Sequence, residues 1–362
     1  MDIDYVSCTG CGACENVCPT GAIHMKQNEE GFLYPSIQPE KCIDCGACEK
    51  VCHNLDLSEG KKSRTCLAAW ACDDIRSESS SGGVFSLLAE QVLQDKGYVC
   101  GAAYVDHTKV QHIIVSEKQE LARVRTSKYV QSRIGLIYRE IKRLLMDSNK
   151  KVLFSGTPCQ IAGLYGYLGC EPDYLYTVDI LCHGVPPQSL FDRYLREEYT
   201  DESVKKINFR DKADGWTYNL KLKVCTEQNT YCTGINEDSY YKAFNNRLSL
   251  RSSCGVCRFA APGRMGDISL GDFWEIWTYD RGLDDRKGTS LVLLNSEKGE
   301  CLFREIMPRL ATCKEVPISV AERGNVTLSH PLPLHENREH FFCDLNSCSV
   351  REALERNMGG NT

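Results

Sequence analysis

Apolar positions along the chain change period as it runs, and most of the regular structure is legible in those changes. Val84, Leu87, Leu88 and Val92 recur at helical spacing and predict a helix over 84–94. Short apolar or alternating runs predict strands at 66–71, 98–105, 110–115, 151–155 and 175–181. Helical patterns at 134–146, 160–168 and 188–198 fall between or after them. Two further strand-like runs, 205–209 and 218–224, suggest an added hairpin region, and 350–357 reads as a closing helix. Alternation of this kind implies a layered α/β domain with a mixed sheet. Residues 54–65 are polar and punctuated, a linker pattern. From Val316 onward the pattern is least informative, with Pro317, Pro331 and Pro333 breaking it, and the tail 358–362 reads as disordered.

Composition narrows the class. The 362 residues carry 43 Lys and Arg against 49 Asp and Glu, a net charge of −6, with 42% hydrophobic residues. That balance, without a basic stripe, argues against a nucleic-acid partner, whose phosphates demand a basic surface. The N-terminus has neither a positive region nor an apolar run of the signal-peptide kind, and no stretch approaches the roughly 18 apolar residues of a membrane helix. Twenty-two cysteines are the outlying feature. They fit either disulfides in an oxidising compartment or metal clusters in a reducing one. The lack of an export signal and the tight spacing favour clusters and a cytoplasmic, oxygen-sensitive protein.

Cys8, Cys11, Cys14 and Cys18 follow C-x2-C-x2-C-x3-C, and Cys42, Cys45, Cys48 and Cys52 repeat it at an offset of 34. Cys-Gly-Ala-Cys-Glu recurs in both copies, so the segment is an internal duplication. This is the spacing of bacterial-type ferredoxins, in which three thiolates of a tight turn hold three corners of a cubane and the fourth cysteine reaches the other cluster. Cys8, Cys11, Cys14 and Cys52 are thus assigned to one 4Fe-4S cluster, and Cys42, Cys45, Cys48 and Cys18 to a second. Gly10, Gly12 and Gly46 allow the backbone to curl round the sulfides. Structural zinc, which needs four thiolates from two knuckles, leaves half of these cysteines unused. Pro19 fits the ferredoxin run; His53 stands where the second copy would carry its proline.

A further set follows in the body. Cys159 and Cys182 each lie just past a predicted strand, and Cys254 and Cys257 form a C-x2-C knuckle. They fit a third 4Fe-4S cluster, a zinc site, or, for the first two, buried core thiols. The remaining ten cysteines show no ligand spacing and read as packing or surface thiols. Ser80, Ser81, Gly82 and Gly83 open a helix, which reads either as an anion site at a helix N-terminus or as an ordinary serine cap.

Ser79-Ser80-Ser81-Gly82-Gly83, Arg125 to Ser132, Gly156-Thr157-Pro158-Cys159-Gln160, Phe209 to Lys212 and Gly266 to Trp274 occur in this order. Together they resemble the beta subunit of deazaflavin-dependent hydrogenases and dehydrogenases, a family related to hydroxymethyl-chlorophyllide reductase, over about residues 66–310. The resemblance implies FAD beside a 4Fe-4S cluster. It points to Cys159, Cys182, Cys254 and Cys257 as ligands of that cluster and to Ser80–Gly83 as the FAD pyrophosphate site. It further implies flavin contacts from Ser127, Lys128, Tyr129 and Gln131, with Lys128 either stabilising the reduced flavin or standing as a solvated loop lysine. His183, beside Cys182, reads as a proton donor or as a hydrogen-bonded histidine next to the cluster. Arg210, Asp211, Arg264, Asp267 and Asp272 fit substrate contacts or structural ion pairs, the latter favoured for Asp267 and Asp272. Nothing in these residues marks a deazaflavin pocket.

The expected organisation is a two-cluster ferredoxin module at 1–57, a linker at 58–65, a flavin- and cluster-binding α/β domain at 66–320 and a C-terminal extension at 321–362. The expected function is an iron-sulfur flavoprotein oxidoreductase taking electrons from a ferredoxin-type carrier through three clusters to FAD and an organic acceptor, or the reverse. A non-catalytic electron-relay subunit of a larger redox complex is the alternative.

Overall fold

A computed structural model describes residues 4, 6–54, 60–147, 149–200, 202–216 and 220–358. The duplicated front is built twice in the same way. Gly12 and Gly46 take left-handed conformations (φ 76° and 67°) and each opens a one-turn helix, Ala13–Val17 and Ala47–Lys50. Only glycine enters that conformation without a Cβ penalty, so the loop can wrap inward before the helix begins. The antiparallel pair Ile23–Gln27 and Leu33–Ile37 joins the two copies.

The body is organised by an eight-stranded mixed sheet in the order 310–315, 65–71, 290–294, 268–272, 175–180, 152–156, 98–105, 109–115. Four neighbours, Ile268–Asp272, Leu175–Ile180, Val152–Gly156 and Tyr98–Val105, run parallel, and the rest pair antiparallel. Val152, Leu153 and Phe154 are fully buried in succession, as expected of a strand covered on both faces. Parallel neighbours end at the same edge, so the loops after Gly156, Ile180 and Asp272 open together. Open sheets with parallel strands bind ligands at this edge.

Most elements lie within one or two residues of their sequence-based bounds. The helix expected over 134–146 spans Ile137–Asp147, and the hairpin region is a three-stranded antiparallel sheet, Val204–Asp211, Lys221–Thr226 and Thr230–Gly234. Residues 217–219, where one of its strands was expected to begin, lie outside the described residues, as does the tail beyond Met358. Met358 itself ends the helix Val350–Met358.

Two expected boundaries fall in packed structure. Residues 58 and 59 of the expected linker lie outside the described residues, but Lys61–Lys62 pairs with Gly263–Arg264 and Thr65 already belongs to the main sheet. Polarity there reflects Lys61, whose Nζ reaches Glu171 at 2.7 Å and Asp267 at 3.3 Å. The C-terminal stretch packs on the body as well. The helix Ile318–Gly324 crosses the expected boundary at 320. Phe341, Val350, Ala353 and Leu354 join one core with Phe191, Tyr194 and Phe209. Arg338 pairs with Glu30 of the ferredoxin module at 2.6 Å, tying the chain's end to its beginning.

The module packs on the helix Pro158–Leu168 through two glycines. A Cβ on Gly163 would lie 2.9 Å from Cys11 Sγ, and one on Gly166 2.5 Å from the Val51 carbonyl oxygen. Tyr138 donates its hydroxyl to the carbonyls of Cys11 and Gln160, and Arg139 donates to those of Asn16 and Cys18.

Candidate functional site

The eight module cysteines divide by environment. Cys42 and Cys45 are exposed; Cys14, Cys18 and Cys48 pack together beside Ala22 and Ile23. Burial pushes the pKa of Cys14 up to about 12, and the nearby thiols of Cys8, Cys52 and Cys48 each add to the rise. Burial also holds Cys11 well above its usual value, with Cys14, Cys159 and Cys8 adding repulsion. Cys18 is the exception: burial raises its pKa, but donors from Thr20, Ala22 and Ile23 outweigh it and hold the thiol low. A set of buried thiols that repel one another ionises together only beside concentrated positive charge, which cluster iron would supply. Among the described residues no three His, Cys, Asp or Glu side chains converge as they would on a single metal ion. A cubane, gripped at its corners, asks for wider spacing.

The second set assembles from three places. Cys159 sits in the first turn of the helix Pro158–Leu168, whose start is fixed by a capping box between Thr157 and Gln160. Thr157 Oγ1 lies 3.1 Å from Cys159 Sγ. Cys182 follows the neighbouring parallel strand and accepts from the Gly184 N–H at 3.4 Å. Cys254 lies on the one-turn helix Ser252–Gly255, with Cys257 just beyond it. These four cysteines line one small cavity of about 40 Å³, together with Thr9 and Arg251. Burial pushes Cys182 well up, Cys254 to about 12 and Cys159 to about 11.

A much larger cavity of about 420 Å³ opens beside it at the parallel-strand edge. The two share Thr157, Cys159, Cys182, His183, Gly184 and Val185 as walls. Ser80, Ser81, Gly83, Ser127, Lys128, Tyr129, Gln131 and His183, expected from the sequence, all line it. Their roles differ in detail. The serine hydroxyls are engaged: Ser80 Oγ accepts from the Ser127 N–H, and Ser81 Oγ donates to the Thr289 carbonyl. Gly82 is absent from the cavity wall. Its N–H donates to Ser290 Oγ, and a Cβ there would meet the Ala69 oxygen at 2.5 Å, so glycine serves sheet packing. Gly83, at φ 87°, starts the helix Val84–Gln94 with no side-chain cap. First-turn amides at Val84 and Phe85 therefore offer anion donors on the cavity side.

Lys128 is engaged by the backbone of its own loop. Its Nζ donates to the carbonyls of Arg125 (2.5 Å), Thr126 (3.2 Å) and Arg123 (3.3 Å). Burial pushes its pKa down to about 7. The lysine thus clamps a loop in which Thr126 is held at φ 65°, a conformation that a β-branched residue rarely adopts. Tyr129 meets Phe209, Tyr241 and Phe244 and forms an aromatic wall. His183 faces the cavity, and burial lowers its pKa with Arg210 assisting against Asp272.

Sequence reasoning left Arg210 undecided and favoured a structural Asp272. Arg210 and Asp272 pair at 2.5 Å on the cavity wall, with the guanidinium also over Trp216 and Trp274. Asp267 is structural, accepting from the Thr177 N–H and hydroxyl, and Arg264 pairs with buried Asp179. Asp211, the remaining member of that set, lies 3.6 Å from Lys223. Missed altogether were His112 and Arg251, while Gln160 and Trp274 entered only as members of motifs with no role assigned. His112 lies between Ser132 Oγ and the Ser155 carbonyl, stacked on Phe154. A polar residue inside an apolar strand run was the available signal for it.

No helix among the described residues is long and apolar enough to cross a membrane. Residues 66–136 match the N-terminal model, and residues 149–316 the C-terminal model, of the coenzyme F420 hydrogenase/dehydrogenase beta subunit. Residues 7–54 match a 4Fe-4S dicluster domain. An uncharacterized protein of Methanocaldococcus jannaschii is 25% identical over 334 residues, covering 83% of this chain and 87% of its own length. A chain in the structure of the F420-reducing [NiFe] hydrogenase complex from Methanosarcina barkeri superposes with a TM-score of 0.51 at 18% identity. That likeness covers 82% of this chain and 91% of the other, and it concerns the fold.

Proposed function

Because the chain belongs to the coenzyme F420 hydrogenase/dehydrogenase beta-subunit family, we propose that it is an iron-sulfur flavoprotein oxidoreductase with three 4Fe-4S clusters and FAD. Electrons pass between a ferredoxin-type partner at the module and an organic acceptor in the large cavity, in either direction. One observation carries this reading: the cavity of the second cysteine set and the large cavity share the walls Cys159, Cys182 and His183. A 4Fe-4S cluster moves one electron at a time and a flavin stores two, which together serve a two-electron reduction.

The residues set out the route. Exposed Cys42 and Cys45 face a partner; Cys14 and Cys48 adjoin within the module; Cys11 adjoins Cys159. In the large cavity the uncapped helix start at Gly83–Phe85 offers amides to a pyrophosphate. Tyr129 supplies an aromatic wall, and the Arg210–Asp272 pair a polar one. His183, whose pKa is lowered by burial, lines the cavity where its ring can hydrogen-bond the acceptor or relay a proton to it. Lys128 shapes the wall through the loop it clamps. The family's name makes a deazaflavin the first acceptor to test, and a reducing cytoplasm suits the free thiols.

Anaerobic quantitation of iron, sulfide and flavin tests the proposal. About twelve irons and one FAD per chain are expected, four irons per cluster. About eight irons without flavin would overturn it. The exposed Cys42–Cys45 edge also suits docking in a larger complex as a pure relay. Turnover of an acceptor by the isolated chain with an artificial donor excludes that second reading.

A further inference from the structure

Among the described residues five arginines are buried: Arg76, Arg210, Arg251, Arg264 and Arg338. Four have a carboxylate within 3.1 Å, namely Asp285, Asp272, Asp179 and Glu30 in the same order without Arg251. Arg251 is the exception. Only 1% of it is exposed, and among the described residues no carboxylate pairs with it; its donors meet the Cys8 carbonyl at 2.8 Å, the Leu33 carbonyl at 3.0 Å and Gln131 Oε1 at 3.2 Å. Its guanidinium lies 4.0 Å from the Tyr34 ring centroid. Burying a charge without a counter-charge is costly, and arginine does not escape the cost by losing its proton.

Two groups of thiolates lie where the counter-charge should be. One Arg251 nitrogen is 4.0 Å from Cys8 Sγ. The same side chain lines the cavity of Cys159, Cys182, Cys254 and Cys257 and interacts with Cys159 and Cys254. A cubane held by four thiolates is a net anion in both of its working oxidation levels, and reduction adds to the charge.

We propose that Arg251 is the shared counter-cation of the two inner clusters, stabilising the added electron on each and so setting their potentials above what burial alone would give. The inference rests on the three-cluster reading above. Arg251 is a positioning residue here, acting on potentials through charge. The outer cluster of Cys42, Cys45, Cys48 and Cys18 is outside its contacts and serves as an internal reference.

The test is an anaerobic redox titration of the full chain followed by electron paramagnetic resonance, with iron counted in each sample. Arg251→Gln should lower both inner midpoint potentials, by at least about tenfold in the reduction equilibrium, or about 59 mV for one electron. Arg251→Lys should recover part of the shift, and the outer cluster should not move. If Arg251→Gln fails to assemble, Gln131→Glu decides, because it places a carboxylate against the intact guanidinium and should lower the same two potentials. Unchanged inner potentials, or an equal shift of all three, overturn the role of Arg251. A wild-type chain with only two clusters instead overturns the three-cluster reading.

Discussion

Gly166→Ala sets two effects of known sign against each other. Alanine in a helix interior is favoured over glycine by about 1 kcal/mol. Gly166 lies inside the helix Pro158–Leu168, so propensity alone predicts a more stable protein. The new Cβ would lie 2.5 Å from the Val51 carbonyl oxygen and 3.4 Å from its carbon. Close C···O contacts settle near 3.3 Å, so the methyl is short of room by about 0.8 Å. Val51 is backbone, and it precedes Cys52, so it cannot rotate aside as a flexible side chain would. Overpacking of this kind costs about 1–3 kcal/mol, which outweighs the propensity gain. The expected result is a chain less stable by about 1 kcal/mol, with a looser module and fewer irons retained per chain. Anaerobic urea unfolding followed by circular dichroism, with iron measured in parallel, reads both. A variant more stable than wild type, with its iron complement intact, would refute the close approach of module and helix.

Acid should expose His112. Burial pushes its pKa down to about 4, so the folded chain stays neutral where the unfolded chain, near 6.5, takes a proton. Its stabilising contribution is complete above pH 6.5 and is lost as pH falls toward 4. Between pH 7 and 5 wild type should lose about 2 kcal/mol more than His112→Gln, read from unfolding curves at each pH. Asp272→Asn leaves the Arg210 guanidinium without its carboxylate and should cost about 3 kcal/mol by thermal unfolding, with less flavin retained on gel filtration. Cys254→Ser should lower iron from about twelve to about eight per chain while the module's signals persist. Loss of all iron would show instead that the three sites assemble as one unit.

The division between sequence and structure follows from how each signal is stored. Spacing along the chain carried the duplicated cysteine runs, because ligands of one turn are sequence neighbours and their geometry is local. Periodicity carried the helix Val84–Gln94 and the strand Tyr98–Val105 to their ends, because each buries a face whose period matches its own backbone. Gly10, Gly12 and Gly46 were legible for the same reason, and all have positive φ. The C-terminal helices before Val350–Met358 were not, since short amphipathic pieces such as Arg338–Asp344 gain their stability from packing on distant partners. Nor was the orientation of Lys128. The sequence says that a lysine is there, but only the folded loop presents three carbonyls to it. Cys159 and Cys182 stand between these cases: sequence placed each just past a strand, and parallel pairing of those strands put both at one edge. Arg251 shows the limit most clearly. Its type and position are plain in the chain, but a buried charge without a carboxylate is a statement about neighbours up to 243 residues away. Neighbours at that distance are chosen by the fold, because long-range contacts depend on how the layers stack and no local pattern records them.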